Sequence, residues 1–461
     1  MLFAGPALAD PWDDAGGAQA QARARAEGRD VLLGAGWDAS RGEAPPAGWS
    51  GEVAPTATLS VGELTPINLG GDEEPGGVSA RVGFEGAVRW RVLRIRLSPQ
   101  ARLDDLAPSA ALTDAWLGAD AGWWRVGFGQ EQRWTGPSRH GAVVLSNNAT
   151  APWMGGGRVQ GRLPGWFDRL GRLSWETEVG WLQEPRGDVA EPGLMFMEFR
   201  WLPHPIFELG VDRLSIFGGE GRPDVDIGQL LVPTEPHVYD DAEKSRPDQD
   251  ELAAVDFRVS LPLAKWWGGP VRWVEGWWVY GGEDLVERKL GPVPYPALAG
   301  VGNQYGAEVA LGPVIVNAEY TRLMDDGFRW YVGHRVYHDG FTQDERVMGA
   351  FGGPDSETWF GSVAIESGAW RARLWGDHAR LVAVVEQQGD HTFALGTEDR
   401  RFRLAVDGGL ARWGGRWTGG VAWEHGEGVD FVPGASADSV RVYVRAEPGA
   451  WSSPSVRPGS P

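Results

Sequence analysis

From about residue 52 onward, apolar and polar side chains alternate one for one, in segments of about nine to eleven residues. Leu173, Trp175, Thr177, Val179 and Trp181 alternate with Ser174, Glu176 and Glu178. Ala253, Val255, Phe257, Val259 and Leu261 alternate with Ala254, Asp256, Arg258 and Ser260. The same holds for Val314, Val316, Ala318 and Tyr320 against Ile315, Asn317, Glu319 and Thr321, and for Trp359, Gly361, Val363 and Ile365 against Phe360, Ser362, Ala364 and Glu366. Successive side chains of a strand point to opposite faces, so each segment has one apolar face and one face that carries charge.

A soluble antiparallel sheet with one wet face alternates in the same way. Three features favour a membrane barrel instead. Counted to the last one, Ser439 to Glu447, the segments number roughly eighteen, and bacterial barrels require an even number. Trp outnumbers Tyr by 26 to 8 and often stands at strand ends, at Trp123-Trp124, Trp201, Trp266-Trp267, Trp277-Trp278, Trp417 and Trp423. Aromatic girdles of that kind mark the two interfaces of a bilayer. Short turns also alternate with long polar connections, around 130–156, 218–250, 282–304, 338–356 and 425–438. No run of about 18 apolar residues exists to cross a membrane as a helix, which leaves a closed barrel as the only spanning form. The 68 Gly and 32 Pro fit many short elements joined by many turns.

The expectation is therefore an all-β chain, a transmembrane antiparallel β-barrel of about 18 strands with a short N-terminal periplasmic segment. Residues 1–9 end in Ala7-Leu8-Ala9 before Asp10 and read as the remnant of a signal peptide whose start lies upstream. Residues 10–50 form the periplasmic segment, with one short helix over Ala18–Leu33 stopped by Gly34 and Gly36. The barrel occupies 51–447, and 448–461 is a C-terminal tail. A net charge of −20 and the absence of any basic tract exclude nucleic acid as a partner. With no cysteine, disulfides, thiolate metal sites and Cys nucleophiles are excluded too.

The most specific stretch is Phe128-Gly129-Gln130-Glu131-Gln132-Arg133-Trp134-Thr135-Gly136-Pro137, which continues through Ser138-Arg139-His140-Gly141 to Ser146-Asn147-Asn148-Ala149. It resembles the central signature of the Wzi-type capsule-assembly family, in which a W-G-P turn leads into an apolar strand ending S-N-N-A. Further segments are similar in the same order: Phe207–Arg213, the Gly-Gly-Glu-Gly-Arg-Pro turn at 218–223, Ala254–Arg258, Tyr280–Asp284, Tyr337–Phe341 and Gly352–Ser356. The ordered set spans roughly residues 125–360. It implies an eighteen-stranded outer-membrane barrel that acts as a lectin for capsular or other extracellular polysaccharide. The family's N-terminal helical segment is much reduced here. The end, Arg457-Pro458-Gly459-Ser460-Pro461, also differs from the terminal aromatic usual for barrel strands.

Carbohydrate recognition needs planar amide, carboxylate or guanidinium partners for hydroxyls and ring faces for C–H groups. Trp134, Arg139, His140, Asn147 and Asn148 supply those groups within a short span and are the candidate polysaccharide-binding residues. A turn that satisfies its own backbone accounts equally well for Ser146-Asn147-Asn148, and a lumen ion pair for Arg139. Glu208, Asp212, Arg213, Asp256 and Arg258 are expected to form a charge network filling the barrel interior, since their apolar neighbours must face lipid.

Catalytic and metal chemistry finds no comparable pattern. His334 and His338 on a strand would share a face about 13 Å apart, too far for a shared metal. No G-x-S-x-G elbow surrounds Ser138. Asp224, Asp226, Asp240 and Asp241 lack EF-hand spacing. The expectation is a non-enzymatic, cofactor-free monomer in contact with outer-membrane lipid, the rival reading being a porin-like diffusion channel.

Overall fold

Alternation over these lengths can bury charge only by turning one face of every strand inward, and the chain does so by closing its sheet. The computed structural model describes residues 49–62, 77–103, 108–163, 165–204, 206–223, 225, 249–290, 293–324, 330–344, 346–367, 370–383, 387–388, 391–392, 396–412, 415–447 and 451–452. The expected leader, the Ala18–Leu33 helix and the aspartates Asp224, Asp226, Asp240 and Asp241 lie outside them.

Eighteen strands form the barrel. They are β1 (Trp49–Gly62), β2 (Gly77–Trp90), β3 (Leu93–Leu103), β4 (Ser109–Asp120), β5 (Trp124–Gln130) and β6 (Trp153–Arg162). Next come β7 (Arg172–Trp181), β8 (Gly193–His204), β9 (Phe207–Phe217), β10 (Gln249–Leu261), β11 (Val271–Gly282) and β12 (Gly302–Leu311). The last six are β13 (Val314–Arg322), β14 (Ser356–Ser367), β15 (Trp370–Val382), β16 (Glu398–Arg412), β17 (Gly415–Glu427) and β18 (Ser436–Glu447). Each pairs antiparallel with its neighbours in sequence, and β18 pairs with β1 from Ala57↔Ala446 to Gly62↔Arg441. The two-residue strand Trp451–Ser452 extends that seam at Glu52 and Val53. Closure leaves no open sheet edge for lipid to meet.

Short connections gather at the end where β1 begins and β18 finishes: β2 turns into β3 through Arg91 and Val92, and β12 into β13 through Gly312 and Pro313. Long connections gather at the other end, between β5 and β6, β9 and β10, β11 and β12, and β13 and β14. This is the asymmetry of periplasmic turns and extracellular loops. No helix among the described residues is long and apolar enough to cross a membrane.

The two faces of each strand behave as the alternation requires. On β13, Ile315, Asn317, Glu319 and Thr321 are buried inward while Val316 and Ala318 are exposed outward. On β14, Trp359, Val363 and Ile365 are exposed. Toward the long-loop end, outward Tyr305 stacks on Tyr320, which packs on Trp359, and Trp278 donates its indole N–H to Asn303 at 3.0 Å. Toward the short-turn end stand Trp123, Trp266, Trp267, Trp370 and Trp417, all exposed. These are the two aromatic belts, separated by aliphatic side chains such as Val363 and Val421.

Candidate functional site: a plugged and charge-lined lumen

Residues 131–152, which join β5 to β6, fold back into the barrel instead of standing on its rim, and Ala142–Asn148 is buried throughout. The β13–β14 connection enters beside it, burying Trp330, Tyr331, Tyr337, Phe341 and Met348. Together they make the main hydrophobic core, closed against inward Leu194, Phe196, Leu214, Ile216 and Leu252 of the wall. A loop can be buried only if its backbone groups find partners. Here the two loops serve each other. Ser146 donates its N–H to Met348 O at 2.7 Å and its hydroxyl to Gly349 O at 2.5 Å. The Tyr331 hydroxyl donates to Val143 O at 2.5 Å and accepts the Ala350 N–H at 3.0 Å. Tyr331 holds the left-handed conformation, φ 67°, and Gly340 lies so close that a Cβ there would overlap the Tyr331 carbonyl oxygen.

Ion pairs fasten this plug to the wall. Arg139 meets Glu275 of β11 at 2.5 Å and Glu308 of β12 at 3.5 Å, and its backbone N–H donates to Glu319 of β13 at 2.7 Å. Its guanidinium lies over the Trp277 ring at 5.1 Å. Burial opposes that charge, but Glu275, Glu308 and Glu319 outweigh it and raise the Arg139 pKa. Arg133 pairs with Glu178 of β7. Glu131 is held by Arg96 at 2.5 Å and by Arg125; burial pushes its carboxyl up, yet Arg125, Arg96 and Arg133 prevail and keep it below the usual carboxylate range. His140 stacks on Phe360 at 3.8 Å and meets Asp377 of β15 at 3.2 Å. Burial outweighs Asp377 there and lowers the His140 pKa.

All five candidate polysaccharide-binding residues thus lie within the plug. Trp134 is half-buried and donates its indole N–H to Ser138 O at 3.1 Å. Arg139 and His140 are buried on the wall pairs just described. Asn147 is buried, and Asn148 donates its side-chain amide to Val347 O at 3.0 Å. The alternatives of a self-satisfying turn and a lumen ion pair describe their immediate contacts: the Asn148 N–H donates to Ser146 Oγ at 3.1 Å. A second group was quoted from the sequence without a role. In Tyr337–Phe341, His338 is exposed, Tyr337 carries His334 stacked at 5.7 Å, and Asp339 accepts the Gly187 N–H at 2.7 Å. The 182–192 connection is tied down here by Arg186, paired with Asp188 and donating to Gly340 O at 2.9 Å.

Four of the five proposed lumen residues share the interior. Arg200 bridges Asp212 at 2.7 Å and Asp256, while Arg258 meets Glu275 at 3.2 Å and Glu208 at 3.5 Å. Arg213 does not belong with them. It follows Asp212 on a strand, so the two-residue period turns it to the other face, where its cross-strand neighbours are Met197 and Ala253. Its guanidinium pairs with Glu251 outside the barrel wall, near a small apolar cluster of Met195, Met197, Phe217 and Val225. Arg200 was the residue that sequence reasoning missed: a lone arginine among Phe199, Trp201 and Leu202 carries no local signal of three carboxylate partners. Among the described residues no group of three or more His, Asp or Glu is arranged to hold a metal.

The family model described as capsule assembly protein Wzi matches residues 53–366. No curated protein matches the chain. Among solved structures, the chain is similar to Wzi of Escherichia coli, an outer membrane protein involved in group 1 capsule assembly and described as a carbohydrate-binding β-barrel. That match has a TM-score of 0.65 and 16% identity over 85% of this chain and 83% of that one. It is also similar to OprD of Pseudomonas aeruginosa, with a TM-score of 0.54 and 9% identity over 92% of this chain and 99% of that one. Eighteen closed strands, a lipid-facing exterior and the matched span place this chain in the outer membrane as a member of the Wzi capsule-assembly family.

Proposed function

We propose that this barrel holds capsular or other extracellular polysaccharide at the cell surface as a lectin, without catalysing a reaction on it. The observation that carries the reading is the plug. Two connections from the long-loop end are folded into the lumen, and the first of them is fastened to β7, β11, β12 and β13 by buried charge and to β15 by the contact of His140 with Asp377. Diffusion needs an open water path, which two connections packed into the lumen narrow, whereas a lectin uses such fastenings to present a rigid platform. The carbohydrate-binding description of the Escherichia coli relative supports the same reading. On it, Trp134, Arg139, His140, Asn147 and Asn148 serve the site as positioning residues, and the exposed group around His338 meets the polymer.

Deleting the gene should release surface polysaccharide into the medium while total synthesis continues. Unchanged cell-associated polysaccharide in the deletion strain would sink the proposal. The closed eighteen-stranded fold also suits a second reading, a diffusion channel. Planar-bilayer recordings separate the two: the plugged lectin gives near-silence, and a channel gives steady open-pore current.

A further inference from the structure

The lumen is electrically two-sided. Among the described inward-facing side chains of β6–β13, ten carboxylates stand against five arginines, and this wall takes the Arg133 and Arg139 fastenings of the plug. Across the lumen, the described inward faces of β15–β18 and β1–β3 carry eleven arginines against five carboxylates. The first wall is dry: Arg258, Glu275 and Glu308 are 0% exposed. The second is less enclosed: Arg373, paired with Asp407, keeps 20% of its side chain accessible and Arg445, paired with Glu85, keeps 19%, both pointing inward.

Register arranges the second wall in rows. One lateral row carries Arg371, Arg445, Arg81 and Arg102, with only Gly409, Thr418 and Thr58 between them. At about 4.8 Å per strand, Arg371 and Arg445 stand about 14 Å apart and Arg445 and Arg81 about 10 Å apart. The adjacent row offers Arg373, paired with its neighbour Asp407 at 3.5 Å, and Tyr443 beside Gly420 and Ser60, and the row beyond it Trp375 and Arg441 over Ala405 and Ala422. Apart from Asp407, small residues form the floor from which guanidinium groups and aromatic rings project. Guanidinium groups bind carboxylates through paired N–H donors. Ring faces accept the C–H face of a sugar.

We infer that this arginine-and-aromatic wall binds an acidic glycan, a chain whose sugars carry carboxylates, along the inside of the barrel. The inference rests on the polysaccharide reading, specifies the class of polymer and adds a contact inside the barrel to the surface contact around His338. The excess of positive charge among the described residues of this wall attracts the carboxylates, and the short side chains leave room for the rings. A neutral chain would gain only the ring contacts.

The test uses the full, detergent-folded protein with tetragalacturonate as probe and maltotetraose as the neutral comparison, measured by calorimetry. Tetragalacturonate should bind at 50 mM salt, weaken at least tenfold by 500 mM, and exceed maltotetraose at least tenfold. The Arg81→Gln/Arg371→Gln/Arg445→Gln variant should lose at least tenfold, while Arg380→Gln/Arg400→Gln, on the outer face, should bind as the parent does. Equal binding of the two oligosaccharides, or an unchanged wall variant, overturns the inference. Because salt dependence is read on the parent protein, a salt-insensitive affinity overturns it even if the variant fails to fold. Polysaccharide release by the deletion strain together with no binding of tetragalacturonate would remove this inference and leave the anchoring function standing.

Discussion

Arg139 shows what one buried charge does in this lumen. Its guanidinium faces Glu275 and Glu308, both fully buried, and its backbone N–H serves Glu319. Removing one partner of a buried pair leaves the others uncompensated, at a cost of about 3–5 kcal/mol. Arg139→Ala should therefore loosen the plug and leave the strands paired. Limited proteolysis should cut the 131–152 segment faster while the folded barrel still migrates as folded on gels; equal cutting in variant and parent would contradict this. His140 adds a pH dependence. Its charge is opposed by burial, Arg373 and Arg403, and favoured by Asp377. Because the docked pKa lies below the usual histidine value, near 6.5, the free segment takes up the proton first as pH falls. Docking is then fully stable above about pH 6.5 and weakens as pH drops through the lowered value. Proteolysis of the segment should accelerate on acidification, and His140→Gln should flatten that response.

At the scale of the strand, the face pointing to lipid decides what can be tolerated. Val363 lies outward near the middle of β14 between aromatic Trp359 and Ile365. Val363→Arg should destabilise the barrel by about 2–4 kcal/mol, the cost of a guanidinium near the bilayer midplane, as read from denaturant titration in lipid vesicles. A cost below about 1 kcal/mol would mean that this part of β14 lies outside the hydrocarbon. The same period of two explains which elements could be read from the chain alone. Strand alternation is local, so β7, β10, β13 and β14 were legible with their faces correctly sorted. Arg213 was assigned to the wrong side because its charge was weighed above its register against Asp212. The plug was legible only as long loops, since the contacts that bury it join residues such as Ser146 and Met348, about two hundred positions apart. No local period encodes such a contact. Its motif residues stood out by type, while their burial depended on a partner loop that pattern cannot supply.

Taken whole, the molecule sorts charge by compartment. Carboxylates and plug cations share one wall, and arginines dominate the wall opposite, inside a chain whose net charge is −20. The aliphatic exterior between two aromatic belts fixes how this assembly sits in the bilayer. Its closure has a kinetic consequence. Most neighbouring strands find each other across a turn, as β1 and β2 do over fourteen register positions. The joint between β1 and β18 spans six, and it pairs residues such as Ala57 and Ala446, which are nearly four hundred positions apart in sequence. Pairings that distant in sequence form slowly, because the intervening chain must be ordered before they repay its loss of freedom. Until β18 arrives, the outer edge of β1 presents unpaired amides, the kind of edge that recruits a foreign strand. Zipping that joint is therefore expected to be the last and slowest act of biogenesis, and whatever guards the edge of β1 in the meantime should govern how much of the newly made chain reaches the membrane intact.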